Sequence, residues 1–255
     1  MSYLSRKPIP VNERLIFALD VPMVESAKKL VDKLGDSVQF YKLGLEIFMA
    51  GGYFDFIDWL VKQNKKVFVD LKFFDVPNTV ASAIRQLQLR NNNPEFTTVH
   101  GNDQILKAAC EAVRRAALET GRGEENRTKI LAVTVLTSLD QADIEALGFH
   151  TAMEDLVYSR AKRAVELGCD GVISSGLEVP KLREGLGNEF AVVVPGIRPV
   201  KNTDDQKRTV GVEEAFENGA DYIVVGRPIK DADDPGKAAE DIQTRIANIP
   251  FPSKI

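Results

Sequence analysis

Apolar residues along the 255-residue chain follow two alternating patterns. Short, nearly continuous runs of β-branched and aromatic residues alternate with longer stretches in which apolar positions recur every three or four residues. The first pattern reads as a strand covered on both faces, the second as an amphipathic helix with one buried stripe. Arg14–Asp20 predicts a first strand, and Val24, Ala27, Leu30, Val31 and Leu34 its helix. Val38–Gly44 predicts a second, followed by a helix through Phe54, Ile57, Leu60 and Val61. Val67, Phe68 and Val69 open a third, with a helix through Val80, Ala83, Ile84 and Leu87 that Asn78 or Thr79 is placed to cap. Phe96–Gly101 with Ile105–Leu118 is the fourth unit. Lys129–Leu136 is the fifth strand, with helical sequence at Asp140–Leu147 and Met153–Leu167. Gly171–Ser175 is the sixth, followed by a short helix at Glu178–Glu184. Ala191–Ile197 and Tyr222–Arg227 complete the set, each followed by helical sequence.

Eight strand–helix units in about 250 residues match the count and length of a (β/α)8 TIM barrel. No linker or shift of composition divides the chain, so residues 1–255 are expected to form one domain. An open, doubly wound α/β sheet is the alternative. Against it stand the missing GxGxxG after the first strand and the spread of polar residues over many strand ends.

In a barrel the carboxyl ends of the strands converge on one mouth, which gathers Asp20, Lys42, Asp70, Lys72, Thr137, Arg198 and Arg227. Side-chain alternation puts Asp70 and Lys72 on the same face at the end of strand three. Taken alone, each of these residues has a plainer reading: Asp70 and Lys72 as a rim salt bridge, Asp20 as a helix cap, Lys42 as a solvated cation, His100 as a satisfied strand-end histidine. Their joint placement favours a site. Phosphates in this fold commonly sit at the loops after strands seven and eight. Here those loops read Pro195-Gly196-Ile197-Arg198 and Gly226-Arg227-Pro228, with glycine for close backbone approach and guanidinium to grip two oxygens. Residues 198–209 form a polar, aperiodic stretch between them, expected to be a phosphate-binding lid.

Composition narrows the partners. With 44% apolar residues and a mean hydropathy of −0.15, the chain has the makings of a large core. A net charge of −4 and a pI near 5.4 argue against a nucleic-acid or anionic-membrane surface and leave room for a small anion. No run approaches the roughly 20 apolar residues of a membrane span, and the amino terminus lacks a signal-type apolar core, so the expected location is the cytoplasm. Cys110 and Cys169 show neither CxxC nor metal-type spacing and read as reduced, packed thiols.

Asp70-Leu71-Lys72-Phe73-Phe74-Asp75-Val76-Pro77-Asn78-Thr79 resembles the Asp-x-Lys-x-x-Asp-Ile-Pro-x-Thr signature of orotidine 5'-phosphate decarboxylases. The resemblance covers nearly the whole chain: Asp20, Lys42, Leu136-Thr137-Ser138, Pro195 to Pro199, Gln206 and Gly226-Arg227 follow in the family's order. It implies a cofactor-independent, metal-free conversion of orotidine 5'-phosphate (OMP) to UMP, the last step of pyrimidine nucleotide synthesis. By the same resemblance Asp20 and Lys42 hold the ribose hydroxyls and the charge network, and Thr137 lies at the pyrimidine. Gln206, Arg227 and the Gly226 backbone bind phosphate, with Arg198 in support. Asp75 and Thr79 reach into the neighbouring subunit's site, which implies a homodimer. Two departures stand out: Phe74 and Val76 replace the family's common His and Ile, and His100-Gly101-Asn102-Asp103 replaces a His-Ala-x-Gly-Gly type sequence. The first leaves every charge in place; the second bears on local loop shape and the dimer contact.

The residue types suit the reaction. Loss of CO2 from C6 of orotate leaves a basic carbanion, and a fixed cation is the direct remedy. Lys72, flanked by Asp70 and Asp75, is expected to carry its charge, stabilise the carbanion and protonate it; Asp70, Asp75 and Lys42 complete the catalytic set. A metal-dependent sugar-phosphate decarboxylase or aldolase shares the Asp-x-Lys-x-x-Asp but uses a Glu ligand near the end of strand two, where this chain has Lys42. A nucleotide-binding barrel that has lost activity is the non-enzymatic alternative, disfavoured by the intact Asp70, Lys72 and Asp75.

Overall fold

The computed structural model describes residues 3–197 and 208–252 of the chain. Eight parallel strands close into a barrel in sequence order: β1 (Leu15–Ala18), β2 (Phe40–Leu43), β3 (Lys66–Phe73), β4 (Phe96–Val99), β5 (Lys129–Val133), β6 (Gly171–Ile173), β7 (Ala191–Val194) and β8 (Tyr222–Val225). β8 pairs with β1 as well as with β7, so the sheet has no free edge and the open-sheet alternative is overturned. The helices are α1 (Val24–Leu34), α2 (Leu45–Met49), α3 (Tyr53–Lys62), α4 (Pro77–Leu89), α5 (Asp103–Glu119), α6 (Gln141–Ala146), α7 (Met153–Glu166), α8 (Val179–Leu186), α9 (Val212–Glu217), α10 (Arg227–Lys230) and α11 (Pro235–Ala247).

Alternation along the strands builds two cores. On β1, Leu15 and Phe17 face outward to a shell that includes Ala27, Val31 and Leu34 of α1, while Ile16 and Ala18 face inward. The barrel interior is filled by Ile16, Phe40, Phe68, Phe96, Leu131, Val193, Tyr222 and Val224, so it is a packed core and not a pore. Phe96 is its centre: its ring lies 5.2 Å from Phe40, 5.9 Å from Phe68 and 5.1 Å from Tyr222. At the amino-terminal end, two carboxylates ahead of strands act as staples. Asp170 takes two hydrogen bonds from Arg127, at 2.7 and 2.6 Å, and one from the Ile130 amide. Asp221, wholly buried, accepts from Arg183 at 2.8 Å, Lys7 at 3.0 Å, the Val192 amide at 2.9 Å and the Ser5 hydroxyl.

The periodic stretches became the expected elements, with informative differences at their ends. Strands one, five, seven and eight stop short of the predicted polar ends, because Asp20, Thr137 and Arg227 sit on loops or helix starts that turn over the mouth. α2 was not predicted, since five residues are too few to establish a helical repeat. α4 starts at Pro77 and not behind an Asn78 or Thr79 cap: Val76 is the capping residue, it makes no side-chain cap bond, and proline's fixed φ opens the first turn.

Truncating the central aromatic leaves a void that neighbouring rings cannot fill. Phe96→Ala is expected to lower the unfolding free energy by about 3–5 kcal/mol in urea titration, with an unchanged m-value.

Candidate active site

Two inward positions at the strand ends are charged where the layer beneath is aromatic. Lys42 lies two residues beyond Phe40 on β2, and Asp70 two beyond Phe68 on β3, so both continue the interior face upward into the mouth. Asp70 Oδ2 is the common acceptor of two ammonium groups, Lys72 Nζ at 3.0 Å and Lys42 Nζ at 3.4 Å. Lys42 Nζ also lies 3.5 Å from Asp20 Oδ1. The result is an unbroken alternation of charge, Asp20, Lys42, Asp70, Lys72, across three adjacent strands. The Lys42 and Asp70 side chains are only 13% and 11% exposed, so their mutual attraction is poorly screened.

Lys72 reaches this position by leaving regular strand geometry. Its φ is +49°, and between Val69↔Thr97 and Phe73↔Val99 four steps along β3 match two along β4. Such a bulge re-aims side chains at a strand end. Simple alternation therefore predicts the right neighbour for Asp70 through the wrong backbone. Thr98 on β4 closes the bulge: its hydroxyl accepts from the Lys72 amide at 2.9 Å and donates to Asp70 Oδ1 at 2.9 Å.

Burial alone would push the Asp70 carboxyl up, but Lys42, Lys72 and the Thr98 hydroxyl together hold it below its ordinary value. Burial would likewise push the Lys42 ammonium down, and Asp70 and Asp20 outweigh it, holding the group above its ordinary value. Both groups are charged at neutral pH. His100 is pushed below 6.5 by burial and by the Arg160 and Lys72 charges, so it is neutral there.

A cleft of roughly 400 Å³ opens above these groups. Phe68 and Val224 form an apolar floor; Asp20, Lys42, Asp70 and Lys72 line the part above β1 to β3, and Thr137, Pro195, Gly196, Gly226 and Arg227, after β5, β7 and β8, close the ring back to β1. Asp20, Lys42, Asp70, Lys72, Thr137, Gly226 and Arg227 are thus brought together as expected from the sequence. Asp75 and Thr79 are not: both are exposed, beyond the lining of this chain's cleft, and Asp75 Oδ1 accepts from the Val76 amide at 2.6 Å. The expected flanking of Lys72 by Asp75 is therefore not made within one chain. Arg198 and Gln206, and most of the expected lid at 198–209, lie outside the described residues.

Sequence reading missed three contributors. Thr98 was hidden in an apolar-looking strand, although its place two residues beyond the inward Phe96 was a usable signal. Lys230 lines the cleft and donates to the Asp20 carbonyl at 3.2 Å; it sits one helical turn beyond Arg227. Arg208 is buried, pairs with Glu178 at 2.5 Å, and donates to the carbonyls of Val135, Leu136 and Leu139, which fixes the loop carrying Thr137. The two departures from the family pattern meet in space. The Phe74 ring packs edge-on against His100 at 5.3 Å, and a Cβ on Gly101, whose φ is +127°, would lie 3.1 Å from Phe74 and 2.7 Å from Ile105. Cys110 and Cys169 are free and buried, their sulfurs 3.5 Å apart and remote from the mouth lining. Among the described residues, no three His, Cys, Asp or Glu side chains converge as a metal site, and no helix is long and apolar enough to cross a membrane.

Fold and site together define a single-domain (β/α)8-barrel protein with a lysine–aspartate array, buried at Lys42 and Asp70, that shares its carboxyl-end mouth with an arginine. The sequence matches the profile of the Orotidine 5'-phosphate decarboxylase / HUMPS family over residues 13–242. It is 56% identical over 250 residues to an orotidine 5'-phosphate decarboxylase of Methylococcus capsulatus, covering 97% of this chain and 98% of the relative. A second relative of the same name, from Xanthomonas euvesicatoria, is 49% identical over 247 residues, covering 95% of this chain and 96% of its own. The crystal structure of orotidine 5'-phosphate decarboxylase from Lactobacillus acidophilus superposes with a TM-score of 0.78 at 38% identity, covering 92% of this chain and 99% of that one. The chain belongs to the orotidine 5'-phosphate decarboxylase / HUMPS family.

The depressed Asp70 carboxyl has a measurable consequence. A carboxylate whose folded value lies below its unfolded value adds stability that is present above the unfolded value, 3.8, and is lost as pH falls through the folded one. The stability advantage of the wild type over Asp70→Asn is therefore expected to stay constant from about pH 7 to 5 and to close below about pH 3.8 in urea titrations at each pH.

Proposed function

We propose that this protein decarboxylates orotidine 5'-phosphate to UMP without a cofactor, with Lys72 as the group that stabilises and protonates C6. The observation that carries this reading is the Lys72 ammonium held 3.0 Å from a buried Asp70 carboxylate at the rim of a cleft with an apolar floor. The C6–carboxylate bond breaks, CO2 departs, and its electron pair stays on C6. The adjacent ammonium stabilises that pair by charge and then delivers its proton to C6, giving UMP and a lysine that solvent re-protonates.

Asp70 has two effects here. It fixes Lys72, and its charge beside the substrate carboxylate raises the ground state. Two unit charges about 4 Å apart in a partly screened site amount to roughly 4 kcal/mol. Enzymes lower barriers by up to about 23 kcal/mol, so repulsion is the smaller contribution and transition-state stabilisation the larger. Arg227 and the Gly226 amide are assigned to the phosphate, with Arg198 and Gln206 as the further phosphate-end ligands that the family resemblance implies. Binding energy from that remote end holds the pyrimidine against Lys72. Thr137 is assigned to the pyrimidine, and Asp20 with Lys42 to the ribose hydroxyls.

Asp75 and Thr79 are assigned to a partner's cleft in a homodimer. Their exposure and their absence from the lining of their own chain's cleft support this, as does the exposed apolar surface of Phe74 and Val76 beside them. The family profile also covers HUMPS proteins. Lys42, paired with two carboxylates at the end of β2, favours the decarboxylase within that family, because a cation there opposes binding of a divalent metal. The protein is assigned to the cytoplasm, where its nucleotide substrate is expected.

The deciding experiment follows the loss of OMP absorbance in EDTA, with UMP identified as product. Metal-free conversion is expected; no conversion by folded protein, with Mg2+-dependent turnover of a sugar phosphate instead, overturns the assignment. Lys72→Ala is expected to lose at least about 10³-fold in kcat while UMP binding by calorimetry persists. For the shared site, mixing inactive Lys72→Ala and Asp75→Ala chains is expected to recover activity in hybrid dimers. Verified subunit exchange without recovery rules out that arrangement.

A further inference from the structure

One buried polar group at the mouth has no part in the chemistry above. Thr98 is wholly buried on β4, and its hydroxyl touches both residues on which the proposed reaction depends. We propose that Thr98 is a positioning residue of the decarboxylation site, its single hydroxyl setting the orientation of Asp70 and the backbone of Lys72 at once. The inference rests on the decarboxylase reading and deepens it.

The hydrogen-bond directions are forced. A backbone amide only donates, so at 2.9 Å the Thr98 oxygen accepts from Lys72 N–H. A hydroxyl has one proton, and an ionised carboxylate only accepts, so that proton goes to Asp70 Oδ1 at 2.9 Å. With Oδ1 committed to Thr98, Oδ2 faces both ammonium groups, Lys72 at 3.0 Å and Lys42 at 3.4 Å. The same hydroxyl satisfies an amide that the bulge removes from the regular ladder, at a residue held at a φ of +49°, where L residues are disfavoured. Removing the hydroxyl frees the carboxylate to rotate and the Lys72 backbone to relax. Both changes move the ammonium relative to C6.

The neighbouring threonine is an internal control. Thr97 is equally buried, but its hydroxyl donates to the Val69 carbonyl at 3.0 Å, on the outward face of the same strands. A generic cost of removing a buried hydroxyl from β4 appears in Thr97→Val; a positioning role appears only in Thr98→Val.

The test compares wild type, Thr98→Val, Thr98→Ser and Thr97→Val, each verified as folded by circular dichroism. Thr98→Val is expected to lower kcat for OMP by about 10–100-fold with KM within about two-fold, as for a small misplacement of a reacting group. Thr98→Ser and Thr97→Val are expected to stay within about three-fold of wild type. A second readout needs no turnover: competitive acetylation with acetic anhydride, quantified by mass spectrometry, is expected to label the Lys72 amine faster in Thr98→Val, which loosens its carboxylate partner, and unchanged in Thr98→Ser. Equal losses in Thr97→Val and Thr98→Val, a loss confined to KM, or wild-type kcat with unchanged labelling in Thr98→Val overturns the proposal. Failure of the wild type itself to convert OMP refutes the decarboxylase reading instead, and the labelling comparison then still decides whether Thr98 orients Asp70 and Lys72.

Discussion

The mouth of this barrel is organised around one buried carboxylate. Asp70 is removed from water directly above the aromatic layer that fills the barrel, and an isolated charge there is strongly disfavoured. It persists because Lys42 and Lys72 both point at Oδ2 and Thr98 donates to Oδ1. Each of those partners is constrained in turn: Lys42 by Asp20, Lys72 by a left-handed backbone, Thr98 by its two bonds. The array is strictly interdependent. Such an arrangement adds little to stability beyond an apolar core, and its value lies in holding charges in fixed directions before a substrate arrives.

The barrel supplies the setting by dividing labour along its axis. Four aromatic rings, from Phe40, Phe68, Phe96 and Tyr222, seal the middle and form a dry base for the cleft. Asp170 and Asp221 secure the opposite end, where no residue of the proposed chemistry sits. The proposed chemistry thereby sits above the rings and these carboxylate staples below them. Loops at the mouth are free to differ in length and sequence without disturbing closure of the sheet.

The sequence made much of this legible because barrel strands carry their chemistry at one end. Asp20, Lys42, Asp70 and Arg227 each follow an apolar run directly, so their convergence follows from topology alone. What escaped had no such marker. Thr98 sits inside a strand and differs from its neighbour Thr97 only by the face it presents, and its use depends on the β3 bulge that brings the Lys72 amide to it. Arg208 acts across the fold on carbonyls of the β5 loop, a contact with no local sequence signature. α4's start was misplaced because Asn78 and Thr79 are good caps by type, whereas Pro77 already suffices to open the first turn.

The packing of Phe74 on His100 and Gly101 sets which substitutions the rim can accept. His100 and Gly101 both lie against Phe74, so a substitution at the end of β3 is felt at the end of β4 and the reverse. A side chain at position 101 is blocked first by Ile105 and by a φ of +127°, with Phe74 as a further close neighbour, and a smaller polar residue at 74 leaves His100 without its ring partner. A change at 74 therefore does not release position 101, where the backbone and Ile105 still require glycine. The rim beside Lys72 is thus tied across two strand ends, with a glycine that its own helix holds in place and an aromatic ring that its neighbour's imidazole shares.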